Sequence, residues 1–167
     1  MYICPKLKGT HLKKLIVSDE LTISGNSMDT SPLETLHIDG DFDSLTIFQV
    51  DFFPKLRSLE MRSCQNLRII SQEYAHNHLM YLDIHDCLQF KSFMFPKPMQ
   101  ILFPSLTSLK ITKCPQVEMF PDGGLPLNIK NMSLSCLKLI ASLIENLDPN
   151  TCLETLFIYN LDVEFSR

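Results

Sequence analysis

The sequence predicts an α/β solenoid: short parallel strands lining one face, returning through irregular loops and short helices on the other. Three observations carry that prediction. Three phrases are nearly the same: Leu56-Arg57-Ser58-Leu59-Glu60-Met61-Arg62-Ser63-Cys64, then Leu79-Met80-Tyr81-Leu82-Asp83-Ile84-His85-Asp86-Cys87, then Leu106-Thr107-Ser108-Leu109-Lys110-Ile111-Thr112-Lys113-Cys114. Each is followed by apolar residues 11 and 14 positions beyond its first leucine, which are Leu67 and Ile70, Phe90 and Phe93, Val117 and Phe120. The first leucine also has counterparts along the chain, at 12, 33, 56, 79, 106, 129 and 153, so the spacing runs from 21 to 27 residues. A unit of that length cannot bury its own leucines, so neighbouring units must stack to share a core.

The pattern L-x-x-L-x-[IM]-x-x-C at this spacing is the leucine-rich-repeat signature. It predicts a horseshoe segment with about seven parallel strands on the concave face, in a single domain over residues 1–167. Taken in order, Cys4-Pro5-Lys6-Leu7 matches the tail of a repeat, and Leu12 to Val17 makes a first, degenerate strand. Gly25, Asn26 and Ser27 mark a polar turn. Leu33 to Ile38 is the second strand, with Asp41 where the later repeats carry cysteine. The three clean repeats follow. Pro121-Asp122-Gly123-Gly124-Leu125-Pro126 then forces a tight turn, because proline and glycine there set unusual backbone angles. Ile129, Met132 and Leu134 phase the sixth strand. Leu137, Ile140, Ile144 and Leu147, spaced by three and four and stopped by Pro149, predict an amphipathic helix with that stripe as its apolar face. Leu153 to Ile158 is the seventh strand, with Leu161 at the cysteine position. Neither end carries a cap, which such stacks normally need, so the chain is expected to be a fragment of a larger receptor.

Composition narrows the function. The chain has 167 residues, 45% apolar and 20% charged, an ordinary balance for a packed core and not for disorder. A net charge of -4 argues against general affinity for nucleic acid or anionic membrane. No signal-peptide h-region is visible at the N-terminus, and no apolar run approaches the ~20 residues of a membrane span. A cytoplasmic location follows as an expectation. Of six cysteines, Cys64, Cys87 and Cys114 share one repeat position, where asparagine or cysteine satisfies backbone groups in the turn after the strand. They are therefore expected to be reduced thiols.

The strand positions facing away from the core form three columns. One runs Ile16, His37, Glu60, Asp83, Lys110, Ser133, Phe157; the next Ser18, Asp39, Arg62, His85, Thr112, Ser135, Tyr159; the third Asp19, Gly40, Ser63, Asp86, Lys113, Cys136, Asn160. Glu60, Arg62, Tyr81, Asp83, His85, Asp86, Lys110, Lys113, Phe157 and Tyr159 are the candidate partner-binding residues, the charges setting register and the aromatics serving as anchors. The plainer reading is lateral pairing of Glu60 and Asp83 with Arg62 and Lys110, worth ~0–1 kcal/mol per exposed pair. Replacing Asp83 and Lys110 together by alanine is expected to weaken partner capture and to leave the melting curve unchanged. His76, His78, His85, Asp83 and Asp86 raise a metal or hydrolase alternative, but His76 and His78 precede the strand while His85 lies on it. No G-x-S-x-G elbow occurs. Neither catalysis nor a cofactor is expected, and the methionines, Met61, Met80 and Met132 among them, are read as leucine substitutes or gap fillers.

Three phrases carry a family resemblance: Phe53-Pro54-x-Leu56-x-Ser58-Leu59, Phe103-Pro104-Ser105-Leu106-x-Ser108-Leu109-x-Ile111-x-x-Cys114-Pro115, and Phe120-Pro121-x-Gly123-Gly124-Leu125-Pro126-x-Asn128-Ile129-Lys130. Over residues 4–161 the chain resembles the C-terminal leucine-rich-repeat region of plant nucleotide-binding leucine-rich-repeat (NLR) disease-resistance proteins of the coiled-coil type. The resemblance implies a cytosolic immune receptor segment that senses a pathogen effector or a modified host protein and restrains the receptor's nucleotide-binding domain. No G-x-x-x-x-G-K-[ST] loop is present, so nucleotide binding is not expected of this chain. The alternative is the substrate-adaptor segment of an F-box-type ubiquitin ligase, which also uses cysteine-bearing repeats.

Overall fold

Alternation of apolar and polar residues with period two makes each of the main strands two-faced. In a computed structural model, which describes residues 14–18, 33–40, 42–43 and 45–159, this gives an α/β architecture of parallel strands and few helices. The elements run β1 (Lys14–Ser18), β2 (Thr35–Asp39), β3 (Ile47–Gln49), a 3-10 turn (Val50–Phe52), β4 (Ser58–Arg62), β5 (Ile69–Ser71) and β6 (Tyr81–His85). They continue with β7 (Ser92–Met94), α1 (Met99–Leu102), β8 (Ser108–Thr112), β9 (Asn131–Leu134), α2 (Leu137–Asn146) and β10 (Thr155–Ile158).

Seven strands form one sheet in the order β1-β2-β4-β6-β8-β9-β10, every pairing parallel. Register follows the repeat phase: Leu36 pairs with Leu59, Leu59 with Leu82, Leu82 with Leu109 and Leu109 with Met132. All five side chains are fully buried. Each such burial stabilises by roughly 1.5–3 kcal/mol.

The turns repeat as faithfully as the strands. Before a strand, Phe53 and Phe103 each accept a bond from the N–H of the leucine three residues on, with proline at the second position, where its fixed φ suits a tight turn. At the start of the strand two successive N–H groups share one carbonyl of the preceding rung: Arg57 and Ser58 on Glu34, Met80 and Tyr81 on Arg57, Thr107 and Ser108 on Met80. After the strand, Ser63, Asp86 and Lys113 adopt left-handed φ of 52°, 53° and 53°. Ser63 and Asp86 then donate their N–H to the next rung, to the His85 and Thr112 carbonyls.

The cysteines follow at once. Cys64, Cys87 and Cys114 are buried free thiols. Each lies within sulfur hydrogen-bonding reach of two carbonyls, one two residues back at 3.3–3.4 Å and one on the previous rung at 3.6–3.9 Å. Hydrogen bonding to Cys87, together with burial, pushes Cys64 and Cys114 far above the ordinary thiol range. They stay protonated and able to donate.

Three expectations need correction. The returning side is not only loop and short helix, because β3, β5 and β7 form a second parallel sheet of three strands, raising the total above the seven expected. Its central row, Phe48, Ile70 and Phe93, borders a run of aromatic contacts, Phe90–Phe93, Phe93–Phe95 and Phe95–Phe103, with ring centroids 5.2–5.3 Å apart. Three-residue strands leave too short an alternation to read in advance. Second, α2 forms as expected but turns a different stripe inward: Leu139, Ile140 and Leu143 are buried, whereas Leu137, Ile144 and Leu147 are 49%, 70% and 41% exposed. Leucines lie on both stripes, so periodicity alone does not choose between them. Third, Met61 and Met132 fill core positions while Met80 is exposed.

The tight turn after Phe120 is present. Gly123 and Gly124 have φ of 88° and 78°, and a Cβ on Gly123 would stand 2.6 Å from the Pro98 Cβ. The expectations for Cys4, Leu12, the turn at Gly25, Asp41, Asn160 and Leu161 fall outside the described residues.

Candidate functional site on the outer face of the large sheet

Because the leucines of each strand point inward, the alternate residues are carried to the other face in straight rows. The register gives His37, Glu60, Asp83, Lys110, Ser133 and Phe157 in one row and Asp39, Arg62, His85 and Thr112 in the next. Adjacent strands lie about 4.8 Å apart, so these side chains interact across rungs. His37 Nδ1 is 3.1 Å from Glu60 Oε2. Arg62 Nη2 donates to Asp83 Oδ2 at 3.1 Å and stands 3.6 Å from Glu60 Oε2. The Tyr81 hydroxyl donates to the same Asp83 oxygen at 3.2 Å, and the His85 imidazole bonds the Thr112 hydroxyl at 2.7 Å.

Asp83 departs from the sequence reading. It was expected to be exposed, yet it is 3% exposed, held by Arg62 and Tyr81. A buried carboxylate left without partners is costly, so this bonding is what permits its burial. Its expected pairing with Lys110 is replaced by another: the ammonium of Lys110 lies 5.5 Å from the centre of the Tyr81 ring. Burial disfavours charge on Lys110, but the Tyr81 hydroxyl and the nearby Asp83 and Tyr159 outweigh it and raise its pKa. Burial, then Asp83, raises the Tyr81 hydroxyl. Both are charged or neutral as usual at pH 7. The alanine pair at Asp83 and Lys110 is therefore expected to lower stability, since it removes the acceptor that Tyr81 and Arg62 share and leaves Arg62 with Glu60 alone.

Asp86 and Lys113 are not strand residues. They occupy the left-handed turn after β6 and β8. Lys113 still borders a hollow of about 270 Å³ on this face, walled by Arg62, Asp83, His85 and Lys110 on one side and by Ser133, Ser135 and Tyr159 on the other. At the far end Phe157 and Tyr159 stack with ring centroids 6.1 Å apart, 52% and 49% exposed. Of the sequence candidates, Arg62, Asp83, His85, Lys110, Lys113 and Tyr159 line the hollow, Tyr81 reaches it only through its bond to Asp83, Glu60 and Phe157 share rows with its lining residues, and Asp86 stands apart, its carbonyl accepting from Gln65 Nε2 at 3.0 Å.

The residues behind the metal alternative are divided. His76 is 3% exposed, with Nε2 2.8 Å from the Phe53 carbonyl and Nδ1 accepting the Leu79 N–H at 3.1 Å, so both ring nitrogens serve the backbone. Among the described residues no group of three or more His, Cys, Asp or Glu is placed to hold a metal ion, and no helix is long and apolar enough to cross a membrane.

Comparison with protein-family models, with curated proteins and with solved structures finds no match to this chain. What the fold and site define is an α/β protein whose parallel sheet carries one polar face that no described helix or strand covers.

Proposed function

We propose that this chain is a leucine-rich-repeat solenoid segment that recognises another protein through the outer, concave face of its large sheet and performs no catalysis. One observation supports this above the rest: side chains held in register across neighbouring strands converge on a hollow beside two exposed, stacked aromatics. Interface anchors are typically aromatic residues and arginine set among charges that fix orientation. Purely parallel sheets usually have both faces covered, so a face left open by the described elements suits an external partner.

The phrases around Phe53, Phe103 and Phe120 extend the reading to a cytoplasmic plant immune receptor of the NLR type. Its partner would be a pathogen effector or modified host protein, with the receptor's own nucleotide-binding domain as a further contact. Affinity capture from plant extract compares the chain with Phe157→Ala/Tyr159→Ala on the outer face and with Tyr74→Ala away from the large sheet. Partners lost only with the first variant support the reading, and identical captures from all three contradict it. Transcript sequence encoding a P-loop domain upstream would support the receptor assignment, and an F-box there would overturn it.

A further inference from the structure

Resting on the reading that this face recognises a protein, we infer that the segment docking there is acidic, with a carboxylate side chain in the hollow and an apolar side chain on Phe157 and Tyr159. The charge balance points that way. The chain as a whole is anionic, at -4, yet the hollow is lined by three cations, Arg62, Lys110 and Lys113, against the single carboxylate of Asp83. That carboxylate is already bonded by Arg62 and Tyr81. No carboxylate among the described residues lies within ion-pairing distance of Lys110 or Lys113. The Thr112, Ser133, Ser135 and Tyr159 hydroxyls around them can donate to an anion as well.

Geometry sets the spacing. Lys110 shares a row with Ser133 and Phe157, two strand steps apart, which is about 10 Å. A polyproline-II segment crossing the strands rises about 3.1 Å per residue with three residues per turn, so an acid and an anchor that face the sheet together should be separated by three positions, as in Asp/Glu-x-x-Phe/Leu. Carboxylate suits the site better than phosphate. The Arg62 guanidinium, the group that would clamp a phosphate by its fork, is already engaged through Nη2 by Asp83 and Glu60, leaving two separate ammonium groups to meet single charges.

The test is selection of displayed random peptides of about twelve residues, long enough to cross the sheet, on the intact chain. Selected peptides are then titrated by fluorescence anisotropy. Enrichment of Asp/Glu three positions from an aromatic or aliphatic residue is expected. Affinity should fall about tenfold or more with Lys110→Glu/Lys113→Glu, with Lys113→Glu alone if the double variant melts early, and with the peptide's acids changed to amides. Neutral or basic peptides that lose binding with Phe157→Ala but not with the lysine reversals would overturn the acidic partner and leave protein recognition standing. A phosphoserine peptide that binds tighter than its carboxylate form and is displaced by inorganic phosphate would also overturn it. Should no peptide respond to substitution anywhere on this face, the inference and the recognition reading both fall.

Discussion

His76 joins three stretches of chain. Its ring bonds the Phe53 carbonyl and the Leu79 N–H, its own N–H donates to the Leu102 carbonyl, and the ring stacks on Phe103 with centroids 6.3 Å apart. With Nδ1 accepting, the proton sits on Nε2 and the imidazole is neutral. Burial holds its pKa below the ordinary value, against the opposing pull of the Phe53 carbonyl. The unfolded chain therefore binds the proton more readily than the folded one. Stability from this group is complete above the unfolded pKa of about 6.5 and is lost as pH falls below it. Thermal melts at about pH 7.5 and about pH 5.5 should show the midpoint dropping on acidification. His76→Gln should melt lower at both and show less of that drop; an unchanged pH dependence would contradict the assignment. The left-handed turn is testable at the same scale. Ser63, with φ of 52°, tolerates glycine, whereas Ser63→Val should cost about 1–3 kcal/mol in denaturant unfolding.

Among the elements, α2 separates buried surface from mere periodicity. Leu143 is 2% exposed and the adjacent Ile144 is 70% exposed. Leu143→Ala should cost about 2–5 kcal/mol by loss of burial and cavity formation, while Ile144→Ala should stay within about 0.5 kcal/mol; equal losses would show that the helix seats the other stripe. The seven longer strands were legible because L-x-x-L-x-[IM], strict in five and with aliphatic substitutes in the other two, states their alternation, and the turns because proline and cysteine fall at fixed offsets. The small sheet was not, since Ile69-Ile70-Ser71 and Ser92-Phe93-Met94 read equally well as apolar loop. Candidate residues on the large sheet were legible by row, but not the burial of Asp83, which arises from the reach of Arg62 and Tyr81 over it and leaves no mark on spacing. Asp83→Ala should cost about 1–3 kcal/mol, because it removes the acceptor that Tyr81 and Arg62 share.

For the whole molecule, order comes from stacking. Leu36, Leu59, Leu82 and Leu109 are fully buried in register on neighbouring strands, and the polar outer face is the other side of the same alternation. A charge placed at the centre should therefore be felt along the stack, and Leu82→Asp should abolish cooperative melting in circular dichroism, since an unpaired buried carboxylate is among the costliest substitutions. The most direct measurement of this arrangement is solution NMR on methyl-labelled chain. Cross-peaks should join the Leu82 methyls to those of both Leu59 and Leu109; a Leu82 in proximity to neither would show that the strands do not stack in this register and that the outer face does not exist as described.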